Sequence, residues 1–408
     1  MPTSHYRERP DEVTDRTGSG SGSAPPGAVR RHGARSAAAG RLRERARQLL
    51  AHADIDLNGD RPFDIRVHDE RVYARVFGHG SLGFGEAYMD GWWECDDLAE
   101  LAFRLLRARI DEAFRPWTDL PRMVAARVLN LQTPRRSYRV GEQHYDIGND
   151  LYDRMLGRHP VYSCGYWREA DNLDDAQIAK IDLIARKLGL EPGMRVLDIG
   201  CGWGATAQYL AQVYGVEVVG VTISREQVDY GRRLCADLPV DLRLQDYRAL
   251  DETFDRILSV GMFEHVGYKN YAEFMRVASR CLVEDGLFLL HTIGNNRSTA
   301  ATDPWIAKYI FPNSMVPSAN QITHAAERNF IIEDWHNFGT DYDRTLLAWF
   351  ANFDAHWPEL ADSYGDRFYR MWKYYLLTCA GSFRARSNQL WQVVLSPRGV
   401  IGGHRSLR

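Results

Sequence analysis

A carboxylate and an imidazole that could transfer a proton lie near the ends of two predicted strands. Glu264 comes shortly after the apolar segment 254–260, and His291 lies near the end of the segment 286–292. Because the carboxyl ends of parallel strands meet at one edge of a sheet, we expect these two side chains to be neighbours. Such a pair can hold or transfer a proton. A carboxylate that caps a loop and a hydrogen-bonded buried histidine are equally compatible with the pattern, so both readings stay open.

A glycine-rich turn is the second feature that could do chemistry. It follows the apolar strand signal 194–199 and precedes a helix that begins near Ala205. Its glycines, which allow the backbone to approach a ligand closely, are Gly200, Gly202 and Gly204. The spacing also fits a nicotinamide dinucleotide, but the next strand ends in Thr222 and not in the acid that would bind the ribose.

Asp198 extends the glycine turn to the pattern D-x-G-x-G-x-G. This pattern resembles the first motif of class I S-adenosylmethionine-dependent methyltransferases. The following strand ends add polar groups that could bind the same ligand, namely Thr222, Ser224, Gln227, Asp246 and Tyr247. The pattern therefore favours S-adenosylmethionine over a dinucleotide.

The elements that position these residues form an α/β pattern in which strand and helix signals alternate. The predicted strands are 194–199, 216–222, 240–245, 254–260, 286–292, 330–335 and 389–395. Alternation of this kind over the first five strands predicts a doubly wound parallel sheet, and the last two strands would complete seven, as in class I methyltransferases. An apolar insertion over 295–329, between the fifth and sixth strands, is expected to form a lid over an apolar substrate.

Four segments are expected along the chain: a disordered tail over 1–40, a small α+β domain over 41–112, a basic linker over 113–140 and the catalytic domain over 141–400. The small domain should begin with a helix over 41–51 and contain two strands over 63–77 around a turn at 68–71. The linker interleaves arginine and apolar residues, so it could contact an anionic membrane surface or be a solvated connector.

Composition limits the possible functions. A net charge of −3 on 408 residues argues against general nucleic-acid binding. The six cysteines are scattered without a C-x-x-C pair, which favours reduced thiols over a disulfide framework or a metal site. No apolar run is long enough to cross a bilayer, and no signal peptide is recognisable. A cytoplasmic protein is therefore expected.

The motifs taken together resemble those of cyclopropane-fatty-acyl-phospholipid synthases over roughly residues 45–400. The segments that carry the resemblance are 162–167, 196–204, 259–267, 304–312, 333–339, 341–343 and 379–386. The resemblance implies methylene transfer from S-adenosylmethionine to the cis double bond of a phospholipid acyl chain. It also implies a peripheral contact with the inner face of the membrane, and it allows a homodimer.

The resemblance also implies roles for individual residues. Bicarbonate, as the general base, would be held by positions matching Cys164, Glu264, His291, Ile293 and Tyr342, and Cys379 matches a cysteine described as active-site. Donor contacts carry over to Tyr162, Ser163, Asp198, Gly200, Gly202, Gly204, Thr222, Ser224, Gln227, Tyr247 and Arg248.

Two other outcomes remain open at this stage. Methylation of the same alkene could end in a mid-chain methyl branch, and a noncatalytic lipid-binding protein is conceivable. The intact bicarbonate set favours ring closure. Aromatic residues of the C-terminal region could line a dry tunnel and stabilise a cation; the candidates are Trp335, Phe338, Tyr342, Trp349, Phe350, Phe353, Tyr374 and Tyr375.

Overall fold

The computed structural model describes residues 26–113 and 148–408. Residues 1–25 and almost all of the basic linker predicted over 113–140 lie outside these ranges. Helix α1 begins at Pro26, so the segment predicted to be disordered is helical from that residue onward. Its alanine-rich and arginine-rich composition has a high helix propensity, which the low apolar content concealed.

The N-terminal region is mostly helical. Its elements are α1 (Pro26–Ala51), β1 (Arg66–Val67), α2 (Arg71–Met89), β2 (Trp93–Glu94), α3 (Leu98–Arg107) and α4 (Ile110–Ala113). The prediction of two strands over 63–77 was wrong, because only β1 forms, antiparallel to β2, and α2 starts at the predicted turn. The apolar residues 72, 73, 76 and 77 recur with helical spacing, which the alternation of the preceding residues obscured.

The catalytic region is built on the predicted seven-stranded sheet. Its strands are β3 (Arg195–Ile199), β4 (Glu217–Thr222), β5 (Val240–Leu244), β6 (Phe254–Val260), β7 (Leu282–Asn295), β8 (Ile331–Asn337) and β9 (Asn388–Ser396). They lie in the order β5-β4-β3-β6-β7-β9-β8. The seven predicted strands are confirmed, and the sheet is mixed, because β9 runs antiparallel to both β7 and β8.

Helices cover both faces of this sheet. They are α5 (Asn149–Leu156), α6 (Leu173–Leu188), α7 (Ala205–Tyr214), α8 (Arg225–Leu234), α9 (Tyr271–Arg280), α10 (Pro304–Tyr309), α11 (Ala319–Ala326), α12 (Thr340–Tyr364) and α13 (Asp366–Arg384). Helix α6 begins where the side chain of Asn172 accepts a hydrogen bond from Asp175 N, and it ends at Gly189 in the left-handed conformation. The insertion expected over 295–329 contains two of these helices, α10 and α11.

The N-terminal region shares one hydrophobic core with the C-terminal helices. Buried residues of α2, α3, α12 and α13 belong to the same cluster, and Trp93 stacks on Phe84 with ring centroids 4.2 Å apart. Helix α10 of the insertion packs on α2, where a side chain at Gly85 would lie 2.4 Å from the Trp305 ring. Glycine at this position thus permits the close approach of the insertion to the N-terminal region.

Within the described ranges, each helix is too short or too polar to cross a membrane. All six cysteines are free thiols, and five of them are buried.

Candidate active site

A cavity of about 1570 Å³ opens at the carboxyl edge of β3, β4 and β6. Its wall includes the glycine turn, part of the insertion, α13 and apolar residues of α1, α2 and α3. Both the predicted donor site and the N-terminal region therefore face one continuous space. Parallel sheets place ligands at this edge, as expected from the sequence.

The glycine turn lies in the cavity wall between β3 and α7. Gly202 has φ +55°, and no atom lies within 4 Å of the position that a Cβ would occupy. The backbone at this residue is therefore exposed to the cavity, where a ligand could approach it. Asp198 at the end of β3 is 2% exposed, and its Oδ1 has no hydrogen-bond partner among the described residues.

The ends of β4 and β5 supply further polar groups to the wall. Thr222 Oγ1 donates a hydrogen bond to Gln227 Oε1 at 2.8 Å, and both residues line the cavity. Tyr247 and Arg248 also line it, and Arg248 is held by two hydrogen bonds to the Asp246 carboxylate. These contacts fix side chains that could bind the polar parts of a nucleoside.

Glu264 lies at the junction of the donor site and the apolar part of the cavity. Its Oε1 accepts a hydrogen bond from Ile293 N at 2.7 Å, while its buried Oε2 has no partner among the described residues. Burial raises the pKa of Glu264 to about 7, and the hydrogen bond from Ile293 opposes this shift only in part. The carboxyl can therefore carry a proton near neutral pH.

His291 is buried behind the cavity wall on β7. Gln392 Nε2 lies 3.3 Å from His291 Nδ1, and the other ring nitrogen, Nε2, is buried and has no partner among the described residues. Burial, and then the nearby Lys180 charge, lower the pKa of His291 well below its usual value. The imidazole is therefore neutral near neutral pH.

Tyr342 on α12 belongs to the same predicted set as Glu264 and His291. Its ring stacks on Phe383 with centroids 4.5 Å apart, and the residue lines the cavity. Burial raises the pKa of Tyr342 well above its usual value, with a smaller effect from Cys164 and Glu264, so the phenol stays protonated. Burial thus favours the neutral forms of Glu264, His291 and Tyr342.

Hydrogen bonds to α12 hold the segment 162–167, and Trp167 N donates one of them to Asp341 Oδ2 at 2.7 Å. Thr345 Oγ1 accepts hydrogen bonds from Gly165 N at 3.1 Å and from Trp167 Nε1 at 2.8 Å. Tyr162 and Ser163 line the cavity, whereas Cys164 is fully buried with its thiol 3.1 Å from Gly165 O. Cys164 could therefore contribute to the site through its main chain only.

Cys379 on α13 faces the cavity. Burial raises the pKa of this thiol to about 12, so it is not a thiolate near neutral pH. A neutral thiol is a weak nucleophile. Its place in the cavity wall, beside the aromatic part of α13, fits a packing role.

Most of the residues predicted for the site come together, with four exceptions. His291 and Cys164 lie behind the wall, and Gly204 and Ser224 are absent from it. Ser224 is the N-cap of α8, where its hydroxyl accepts a hydrogen bond from Gln227 N. Gly204 sits at the N-cap of α7 against Leu242. Gly204 and Ser224 therefore position the backbone next to the predicted donor site without lining the cavity themselves.

Only part of the predicted aromatic lining faces the cavity. Tyr342, Tyr374 and Tyr375 line it, whereas Trp349 and Phe353 are fully buried in the core and Trp335 packs on Trp391. Aromatic residues that the sequence did not single out for the lining, namely Phe84, Trp93, Trp305, Phe311 and Phe383, do line it. Their signal was the aromatic richness of the insertion and of α2.

Two buried polar residues of α6 were also missed. Lys180 and Gln177 contact the segment that carries Ser163, and Lys180 is 0% exposed. Charged and polar residues are common on helix surfaces, so nothing in the helix sequence separated these two from solvated side chains.

Known proteins resemble the chain in sequence and in fold. Residues 132–393 match the family model described as Mycolic acid cyclopropane synthetase. The chain is 54% identical over 364 residues to the Cyclopropane-fatty-acyl-phospholipid synthase of Escherichia coli, covering 89% of this chain and 95% of that protein.

Two solved structures are similar over the catalytic region. A cyclopropane synthase from Mycobacterium tuberculosis has 32% identity and a TM-score of 0.61, covering 65% of this chain and 99% of its own. A mycolic acid cyclopropane synthase complexed with SAH and CTAB has 34% identity and a TM-score of 0.59, covering 63% of this chain and 97% of its own.

Proposed function

The chain belongs to the mycolic acid cyclopropane synthetase family of S-adenosylmethionine-dependent methyltransferases, and from this membership we propose that it is a cyclopropane-fatty-acyl-phospholipid synthase. Its substrates are S-adenosylmethionine and phospholipids with a cis-unsaturated acyl chain. The observation that carries the proposal is the opening of the glycine turn and of Glu264 into one apolar cavity. A donor site and a buried acid–base group beside an apolar tunnel fit group transfer to an alkene.

The donor site fits S-adenosylmethionine in its chemistry. The exposed backbone at Gly202 allows close approach, Asp198 Oδ1 is a buried acceptor without a partner in the described chain, and Gln227 offers a side-chain amide. These residues would bind and orient the donor, with the Tyr162 hydroxyl held 2.8 Å from the Tyr375 hydroxyl at the acyl side.

Bicarbonate as the general base fits the same region. Glu264 Oε2 and His291 Nε2 are buried and lack partners among the described residues, and the phenol of Tyr342 stays protonated. These groups would hold the anion by hydrogen bonds. When bound, S-adenosylmethionine supplies the one-carbon unit and bicarbonate accepts the proton whose loss closes the ring.

The cavity wall excludes water and stabilises positive charge on the acyl chain. Tyr162, Phe311 and Tyr375 lie together, with ring centroids of Phe311 and Tyr375 5.9 Å apart. Aromatic faces attract a cation, and the absence of bulk water protects it from capture as an alcohol.

The test is mass spectrometry of acyl chains after incubation of the protein with S-adenosylmethionine and unsaturated phospholipid vesicles. We expect the gain of one CH₂ with loss of the double bond, confirmed as a ring by NMR, and a dependence on added bicarbonate. A branched, still unsaturated chain would replace cyclopropanation by olefin methylation. Binding of the lipid without any turnover, in the presence of a donor that does bind, would contradict an enzymatic role.

Contact with the membrane surface forms a second part of the proposal. The substrate resides in a bilayer, and the basic, partly apolar segment 113–140 would attract anionic headgroups on the cytoplasmic face. Cosedimentation should be stronger with anionic than with neutral vesicles and should weaken at high salt; equal binding under all conditions would remove the electrostatic contribution. A homodimer also remains a prediction, which sedimentation velocity would test.

A further inference from the structure

A buried lysine lies directly behind the donor site. Lys180 on α6 is 0% exposed, and its Nζ donates a hydrogen bond to Ser163 Oγ at 3.0 Å. Ser163 itself lines the cavity. Burying an ammonium group costs several kcal/mol unless opposite charge or hydrogen bonds compensate. A lysine in this place therefore needs a partner that the described chain supplies only in part.

The hydrogen bond from Lys180 determines what the Ser163 hydroxyl can do. Since Oγ accepts from the ammonium group, the hydroxyl proton is free to be donated elsewhere. No acceptor for this proton lies within hydrogen-bond distance among the described residues. Gln177, one turn before Lys180, donates to Ser163 O at 2.8 Å and fixes the backbone of the same residue. Ser163 is thus held so that its hydroxyl can donate into the cavity.

Asp198 is the carboxyl group that interacts electrostatically with Lys180. Burial raises the pKa of Asp198 to about 7, and the Lys180 charge opposes this shift. Burial likewise lowers the pKa of Lys180 to about 7, and Cys164 and Asp198 oppose it. The cavity wall thus has the buried Asp198 carboxyl group, whose Oδ1 lacks a partner among the described residues, and the Ser163 hydroxyl with the Lys180 amino group behind it.

This arrangement is complementary to an amino-acid zwitterion. We propose that Lys180 is a positioning residue that orients the Ser163 hydroxyl to bind the carboxylate of the methyl donor, while Asp198 faces the ammonium group of the same donor. The assignment rests on the proposed function, because it needs a donor with an amino-acid group. Lys180 does not line the cavity and acts through Ser163.

The experiment compares two ligands that differ only at the carboxylate. Calorimetry gives the Kd of S-adenosylhomocysteine and of its decarboxylated analogue, S-adenosyl-3-thiopropylamine, for the full chain and for Lys180→Met. We expect the affinity for S-adenosylhomocysteine to fall about tenfold or more, and the affinity for the analogue to change by less than about twofold. Equal losses for both ligands, or no loss for either, would overturn the assignment.

Ser163→Ala keeps the lysine in place and makes the test independent of the folding of Lys180→Met. It should reproduce the selective loss, and the double variant should lose no more than the weaker-binding single variant, because the two residues act as one unit. Independent, additive losses would overturn an action through Ser163.

Lys187→Met is the matched control. Lys187 lies on the same helix, is 1% exposed and donates to His336 Nδ1 at 3.0 Å, away from the cavity wall. Its loss should lower stability without changing the ratio of the two affinities; the same ligand-selective loss in this variant would overturn the assignment. Failure of the unaltered protein to bind S-adenosylhomocysteine would overturn the proposed function as well. Normal binding by the unaltered protein without a ligand-selective loss in Lys180→Met would overturn only the assignment of Lys180.

Discussion

Glu264 and His291 show how burial alone prepares a pair of residues for one task. Burial disfavours the charged form of each, so it raises the pKa of Glu264 to about 7 and lowers the pKa of His291 well below its usual value. Burial therefore favours the neutral form of both groups. The sequence predicted their proximity from strand order, but the burial that shifts both pKa values depends on how elements distant in sequence pack around them.

Glu264→Gln tests the acid–base role. The amide oxygen can still accept the hydrogen bond from Ile293 N, but the side chain can no longer exchange a proton. We expect turnover to fall about 100-fold or more, with the Kd of S-adenosylhomocysteine changed by less than about twofold. Product formation by mass spectrometry and calorimetry measure the two quantities. Glu273→Gln, at a partly exposed ion pair with Arg276, is the matched control. Normal turnover with weakened donor binding would show that Glu264 belongs to the donor site.

The same variant should change how stability depends on pH. The pKa of Glu264 is raised from 4.5 to about 7 on folding, so the folded state binds more protons than the unfolded state between these values. Stability from this group is therefore present at low pH and is lost as pH rises through about 7, by an amount of the order of 3 kcal/mol at most. Urea unfolding at pH 5 and pH 8 should show a larger loss for the unaltered protein than for Glu264→Gln. Identical pH dependence would contradict the raised pKa.

At the scale of elements, strand order was predictable and the N-terminal helices were not. Short apolar runs such as 194–199 are typical of strands in a buried sheet, and each of the seven predicted strands is present. Over short stretches, the segment 63–77 fits both the two-residue period of a strand and the period of a helix. Helix α2 is stabilised by packing against α10 and α13, which lie more than 200 residues later in the chain. Local pattern cannot contain that information. The antiparallel direction of β9 likewise depends on the chain path through α12 and α13.

The glycine turn is predicted to bind the methyl donor through its backbone, and a substitution in the turn tests this. Gly202→Val places a side chain in the space next to β3 that a donor would need, so we expect binding of S-adenosylhomocysteine to be abolished. Valine at positive φ also costs about 1–2 kcal/mol in stability. Gly189→Val controls for this cost, because Gly189 has φ +57°, open space at the Cβ position and no part in the cavity wall. Calorimetry on both variants should show lost binding for Gly202→Val alone; equal binding by the two would mean that the donor lies elsewhere.

At the scale of the whole molecule, the N-terminal region forms part of the cavity wall. Leu50, Val76 and Leu105 lie in the same cavity wall as Gly202 and Glu264. The sequence predicted a separate small domain, because composition shows where apolar residues are but not which ones share a core. Phe84 near the middle of this wall is 6.4 Å, centroid to centroid, from Tyr374 on α13. An apolar space that continues from the reacting groups into α2 and α3 fits the remainder of an acyl chain.

Val76→Phe should therefore shorten the acyl chain that the protein accepts. Val76 precedes Phe84 by about two helical turns, with the bend at Gly80 between them, so a larger ring there would fill space remote from Glu264. We expect the rate ratio between oleoyl and shorter myristoleoyl phospholipid to fall several-fold, while the Kd of S-adenosylhomocysteine is unchanged. Val213→Phe makes the same substitution at a residue that is 57% exposed and outside the wall, and it should leave the ratio unaltered. An equal decrease of both rates by Val76→Phe would indicate general damage to the fold, and an unchanged ratio would show that the acyl chain does not extend into the N-terminal region.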